Sequence, residues 1–174
     1  MQRPNGGALR ATRALIRVLI ALNLGLGVAI AAMLLASLFA ESWVFGALGV
    51  RPGAGRAALI AGMRLMAVIG IASVPLAHLV LTRLRDVVET VQQGDAFISL
   101  NATRLRTIAW TVLGLEALHL GVWAVVTMAS SRAQGLDVGW EFSPTRWLAV
   151  LLLFVLAQVF EEGTRMREDL EGTV

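Results

Sequence analysis

The chain has 174 residues, of which 57% are hydrophobic, a mean hydropathy of +0.73 and a formal net charge of +3. A single soluble domain of this length does not need so much apolar surface for its core, so the composition indicates a lipid environment. The chain has no cysteine, which excludes disulfides, thiolate metal sites and a cysteine nucleophile. All fifteen basic residues are arginines, and they flank apolar runs instead of forming one basic face. Direct nucleic-acid binding is therefore not expected.

Four apolar runs approach or exceed the roughly 20 residues with which a helix crosses the hydrocarbon core. They cover about 18–40, 57–82, 105–129 and 145–162. The first run is too long for the core of a signal peptide and lacks a clean cleavage site, so we interpret it as a retained anchor. Ser143 and Pro144 fit the start of the fourth helix as N-cap and first residue. We expect an all-α integral membrane bundle of four antiparallel helices, a single domain over 1–174, with no cofactor.

The arginines predict the orientation of these four spans. Ten lie before the first run, between the second and third, or after the fourth, whereas four lie in the two other connections. By the positive-inside rule, both termini and the middle connection are then cytoplasmic, in the inner membrane of a bacterium. Trp43, Trp140 and Trp147 would lie at the outer interface, where aromatic belts occur.

The connection between the second and third runs has the pattern of a structured hairpin. An apolar stripe with helical spacing predicts that the second helix continues about three turns past the membrane. Gly94 can adopt a positive φ at its end, Asp95 suits a turn, and Ser99 or Asn101 can cap the next helix. Phe97 would tuck against the membrane or a neighbouring helix.

The segment after the fourth run predicts a second amphipathic helix on the same side, with Met166 and Leu170 on its apolar face. These residues are the nearest apolar groups that could cover the stripe on the extended second helix. Packed together, the two extensions would form a cytoplasmic platform. The platform consists of Leu84, Val87, Val88, Val91, Gly94, Asp95, Phe97, Asn101, Met166 and Leu170.

Two blocks of the sequence, "RDVVETVQQGDAFISLNATRLRTIAW" and "LAQVFEEGTRMREDLEGTV", resemble a bacterial four-span membrane family, domain-of-unknown-function family 2975. In that family a Gly-Asp-Pro-Phe turn and an Asn-x-x-Arg-Leu-Arg motif lead into the third span. Ala96 departs from the proline of the turn. The resemblance implies no activity. Members of the family that the chain resembles are often encoded beside a small helix-turn-helix regulator. The resemblance therefore suggests a cytosolic regulatory protein as partner.

Four conspicuous ionisable residues lie within the predicted spans and away from their ends, where charge is costly: Arg64, His78, Glu116 and His119. Glu116 and His119 are three residues apart and share a helix face. The favoured interpretation is an ion pair between Arg64 and Glu116 that fixes the register of the second and third spans. A proton pathway through Glu116 and His119, or a metal site built on the same two residues, remains an alternative.

These patterns lead to one favoured function and two alternatives. The favoured function is a non-enzymatic inner-membrane protein that presents the platform to a protein partner. The alternatives are a small proton-coupled or solute transporter that uses Glu116 and His119, and a metal-dependent membrane enzyme. The bilayer itself is a further expected partner. A second copy of the chain is expected if the protein is a transporter, because four spans of minimal length leave little lumen in a monomer.

Overall fold

The computed structural model describes residues 6–50, 52–53, 55–95, 97–129 and 143–171, and these residues form five helices and their connections. Trp140 and Ala96 lie outside the described residues. The helices are α1 (Gly6–Phe39), α2 (Glu41–Ala47), α3 (Arg56–Gln92), α4 (Ser99–Ala129) and α5 (Pro144–Glu171). The described part of the chain is thus all-α, as predicted.

Four of the helices, α1, α3, α4 and α5, are long and apolar enough to cross a membrane. Helix α3 has 37 residues and is about 55 Å long, whereas a hydrocarbon core is about 30 Å thick. It therefore extends well beyond the core without a break at Pro75. Helix α5 likewise continues past the apolar run, to Glu171. Many large apolar side chains on the outer faces are exposed, as expected when lipid surrounds them.

Neighbouring long helices pack in chain order, α1 on α3, α3 on α4 and α4 on α5. Within the described residues, α1 and α5 have no comparable interface, so the four helices form an open row instead of a closed bundle. The open row differs from the bundle that the sequence predicted. In the row each long helix packs only against its neighbours in the chain, and α1 and α5 have outer faces that lipid can cover.

The contact faces repeat every three or four residues, the spacing that brings side chains onto one side of a helix. On α1 the less exposed positions include Ile16, Ile20, Asn23, Gly27, Ile30, Leu34 and Ser37. On α5 they include Val150, Leu153, Ala157, Phe160 and Thr164. Apolar periodicity alone could not define these faces, because the lipid-facing positions between them are equally apolar.

Glycines allow close approach at two of these interfaces. A Cβ added to Gly62 of α3 would lie 2.4 Å from Ala129 Cβ of α4, and one added to Gly27 of α1 would lie 2.9 Å from a methyl of Val74. At the same interface, the Asn23 side-chain amide of α1 donates a hydrogen bond to the Val74 carbonyl of α3 at 3.1 Å. Small residues and an interhelical hydrogen bond are both typical of helix association in membranes.

Candidate functional site

The hairpin between α3 and α4 is tightly turned. Helix α3 ends at Gln92, and Gly94 has φ +92°, a conformation that favours glycine. The Gly94 amide donates to the Val91 carbonyl at 3.2 Å and the Asp95 amide to the Thr90 carbonyl at 3.2 Å. These bonds satisfy carbonyls at the end of the helix. The predicted positive φ of Gly94 is confirmed.

Asn101 fastens this turn to both helices. Its side chain is completely buried, in the first turn of α4. The Thr90 hydroxyl donates to Asn101 Oδ1 at 2.8 Å, and Asn101 Nδ2 donates to the Asp95 carbonyl at 3.4 Å. Arg104 adds hydrogen bonds to Asn101 Oδ1 at 3.1 Å and to the Asp86 carbonyl at 3.2 Å. Asn101 thus supports the hairpin from within, and it does not form part of the platform's surface.

The end of α5 docks on the same hairpin. The rings of Phe97 and Phe160 are 5.2 Å apart between centroids, and a Cβ added to Gly163 would lie 2.8 Å from Phe97. Arg167 Nη1 lies 3.6 Å from Asp95 Oδ1. Phe97 therefore tucks against a neighbouring helix, one of the two positions expected for it. Gly163 has no side chain, and this leaves room on α5 for the Phe97 ring.

The prediction that Met166 and Leu170 cover the apolar stripe of α3 is wrong. Met166 and Leu170 are 56% and 71% exposed, and α5 packs along α4 instead of α3. Val87 is buried, at 8% exposure, although Leu84 and Val91 remain exposed. Helix α4 lies between α5 and α3 in the row. The end of α5 therefore contacts the hairpin through its loop residues Asp95 and Phe97 and not through the stripe of α3.

Arg64 occupies a different polar site, at the opposite end of the helices. Its Nη2 lies 2.9 Å from Glu41 Oε2 and donates to the carbonyl of Ser37, while its Nε donates to Ser37 Oγ at 3.3 Å. The guanidinium carbon also lies 5.6 Å from the centroid of the Phe45 ring, a cation–π geometry. Helix α2, which lies in the connection between the first two predicted spans, supplies both Glu41 and Phe45.

The predicted ion pair between Arg64 and Glu116 is therefore wrong, and the helix register explains why. Gly62 faces Ala129 and Gly114 faces Leu76 across the α3–α4 interface. This register places Arg64 level with Val126, ten residues from Glu116, or about 15 Å along the axis. The lengths of the apolar runs do not reveal this register, because it depends on which small residues meet at the interface.

The other ionisable residues of the spans do not join Arg64. Glu116 is half-buried and His119 exposed, and neither has a hydrogen-bond or ion-pair partner among the described residues. His78 Nδ1 is buried without a hydrogen-bond partner there. Over the same part of the chain, no group of three or more His, Asp or Glu residues is arranged to hold a metal. The role of Glu116 and His119 stays a prediction.

Comparison with known proteins identifies the family. The family described as "Protein of unknown function (DUF2975)" matches residues 49–174, and the chain belongs to it. The match includes the hairpin and α5, whose sequences carry the resemblance noted above. No curated protein and no solved structure matches the chain.

Proposed function

We propose that this family member is a non-enzymatic membrane protein that presents its platform to a protein partner in the cytoplasm. The docking of α5 on the α3–α4 hairpin carries this proposal. Phe97 packs on Gly163, and Arg167 lies beside Asp95. These contacts join segments about 70 residues apart in the chain, so a partner would meet one composite surface.

The exposed apolar residues of the platform favour a protein over bilayer as the cover. Val91 is 46% exposed on α3, about three turns past the apolar run, and Met166 is 56% exposed on α5. Helix α5 carries seven charged residues between Phe160 and its end, and Leu170 lies about 15 Å along the axis beyond Phe160. That distance exceeds the depth of an interfacial helix in the headgroups. Clustered apolar side chains on a charged surface are typical of protein docking sites.

Cysteine labelling tests whether a partner covers the platform. Met166→Cys and Val91→Cys are made singly in this cysteine-free chain and exposed to a water-soluble maleimide, in opened membranes of the native host and after purification. Because a bound protein blocks the reagent, we expect labelling at both positions to be several-fold slower in the membranes. A mild urea wash that strips the partner should bring the two rates together, because urea weakens apolar contacts.

Leu48→Cys is the matched control, since Leu48 is 48% exposed at the opposite end of the helices. Its rate should be the same in both preparations. Equal rates at Met166 and Val91 in the two preparations would contradict the proposal. Slower labelling at all three positions would show a general effect of the membrane, and it would also count against the platform.

Proton-linked transport is the second candidate, because Glu116 is half-buried in a membrane-spanning helix with no partner among the described residues. An ionisable group in that position is costly, and such groups often mark ion pathways. If vesicles that contain the protein show a pH-driven proton flux that Glu116→Gln abolishes while the fold is retained, transport replaces the platform as the favoured function.

A further inference from the structure

A groove between α1 and α3 gathers arginines from both helices. Arg13 and Arg17 of α1 line it together with Arg85 and Glu89 of α3, and its volume is about 270 Å³. We call these four residues the arginine groove. A hydrogen bond from Arg13 to Gln92 Oε1 ties the two helices at its rim. The buried side chain of Ile16, at 3% exposure, lies on α1 between the two arginines and fixes that helix in place.

The arginine groove has an excess of positive charge that the protein does not neutralise. Arg85 lies 3.5 Å from Asp86 of its own helix, and this pair is exposed. Arg17 has no ion-pair or hydrogen-bond partner among the described residues, and Glu89 forms no ion pair there. Three guanidinium groups therefore face two carboxylates, Glu89 and the Asp86 beside Arg85, so one positive charge is left over, and the donors of Arg17 remain available to an anion.

The depth of the arginine groove matches that of lipid phosphates. The apolar run of α1 begins directly after Arg17, and that of α3 ends at Thr82, three residues before Arg85. The groove thus lies where both helices leave the hydrocarbon core. On the hydrocarbon side, α1 exposes apolar side chains on which an acyl chain can lie: Val18, Leu19 and Leu22.

We propose that the arginine groove binds the phosphodiester headgroup of one anionic phospholipid. Guanidinium groups bind phosphate oxygens through paired hydrogen bonds, and basic pockets between membrane helices are suited to anionic headgroups. Glu89 can accept a hydrogen bond from a headgroup hydroxyl, which favours phosphatidylglycerol over a lipid whose headgroup has none. The same phosphate chemistry would also admit a free phosphate ester, so the test separates these sources.

Native mass spectrometry of the purified full chain in detergent measures the binding. With phosphatidylglycerol we expect one retained lipid per chain, and with phosphatidylcholine of the same acyl composition much less. Arg17→Gln with Arg85→Gln should weaken phosphatidylglycerol binding by roughly tenfold or more, because each arginine near an anionic lipid contributes about a factor of five. Arg17→Lys with Arg85→Lys should retain part of the binding, since it keeps both charges.

The matched control is Arg106→Gln with Arg165→Gln, which removes two positive charges at the same end of the molecule but outside the arginine groove. It should change binding by less than about twofold. Equal retention of the two lipids, or an equal loss in the control and the groove variant, overturns the proposal. If millimolar glycerol phosphate displaces the lipid, the groove is a site for soluble phosphate esters and the lipid assignment falls. Helicity measured by circular dichroism shows that each variant is folded, and single Arg17→Gln serves if the double variant is not.

Discussion

Arg64 illustrates how a charged side chain is held near the end of a membrane-spanning helix. Its guanidinium has a carboxylate at 2.9 Å, a buried serine and an aromatic ring as neighbours, all supplied by the end of α1 and by α2. The side chains of Arg64 and Glu41 are 28% and 47% exposed, so water still reaches the pair. Such a pair is worth about 1 kcal/mol or less, and the hydrogen bonds to Ser37 contribute the rest of the stabilisation.

The position of Glu116 leads to a prediction about its removal. Since Arg64 is satisfied elsewhere, Glu116→Gln should cost no more than about 0.5 kcal/mol of unfolding free energy, and it can be stabilising because a neutral amide is easier to bury. Arg64→Gln should cost roughly 1–3 kcal/mol, because the Ser37 carbonyl loses its donor. Denaturant titration in mixed micelles, followed by tryptophan fluorescence, measures both changes.

The double variant makes this test sharper. Arg64→Gln and Glu116→Gln should add within about 0.5 kcal/mol, as expected for residues about 15 Å apart. A coupling energy above about 1 kcal/mol would show that the two side chains interact after all. Glu161→Gln, an exposed change on α5, controls for the loss of a negative charge.

At the scale of helices, close packing depends on a few small residues. Gly62 and Ala129 meet where α3 begins and α4 ends, and the 2.4 Å that would separate a new Cβ from Ala129 Cβ is far inside van der Waals contact. Gly25 of α1, by contrast, has nothing within 4 Å of such a Cβ. Glycines on the same membrane-spanning helices thus differ completely in their surroundings.

Alanine substitution should separate the two glycines. Gly62→Ala should lower the unfolding free energy by about 1–3 kcal/mol through overpacking, whereas Gly25→Ala should be neutral or slightly stabilising because alanine favours the helix. The second-site change Ala129→Gly removes the opposing methyl. The double variant Gly62→Ala, Ala129→Gly should therefore recover most of the loss, measured by the same denaturant titration. A double variant that is less stable than Gly62→Ala alone would contradict the contact.

The sequence predicted the helices better than their contacts. Long apolar runs define spans because the hydrocarbon core excludes unpaired backbone groups, so length and hydropathy suffice. Helix α2 was missed because its seven residues are too few for a periodic signal, although Val44 and Phe45 are buried. Since α2 supplies Glu41, missing it also left Arg64 without its partner. The register between α3 and α4 depends on shape, at Gly62 and Gly114, which hydropathy does not encode.

For the platform, too, the sequence predicted local structure better than the contacts between helices. Turn chemistry predicted Gly94 correctly, because a positive φ has a strong residue preference. The sequence also predicted that the tail and the hairpin lie on one side. It did not predict that Phe97 and Gly163 make the contact, because either face of α5 carries apolar residues and only the order of helices in the row decides between them.

At the scale of the molecule, the open row leaves α1 and α5 as two unpaired edges. Each edge exposes large apolar side chains, among them Leu22 and Val28 on α1 and Leu151 and Val155 on α5. In a membrane such surfaces are satisfied by lipid, and helix association there requires complementary shape. The arginine groove lies between α1 and α3, at one edge of the row. The platform lies at the hairpin and the end of α5, so lipid binding and partner binding can occur on separate surfaces.

The whole row has one end that carries most of the charge, and this leads to a prediction of topology. Contacts between Arg13 and Gln92 and between Asp95 and Arg167 place the start of α1, the hairpin and the end of α5 together. Nine of the twelve arginines in the described ranges lie at this end, so it should remain in the cytoplasm. Reporter enzymes active only in the periplasm, inserted at Gly94 or fused after Val174 in a bacterial host, should be inactive.

The same reporter inserted at Gly53, between α2 and α3, should be active, because this connection lies at the opposite end of α3. A cytoplasmic reporter such as green fluorescent protein provides the complementary readout, bright at Gly94 and at the C-terminus and dark at Gly53. If the hairpin and the C-terminus report different compartments, the number of spans is wrong. If both report the periplasm, the arginine bias does not orient this protein, and the platform faces away from any cytosolic partner.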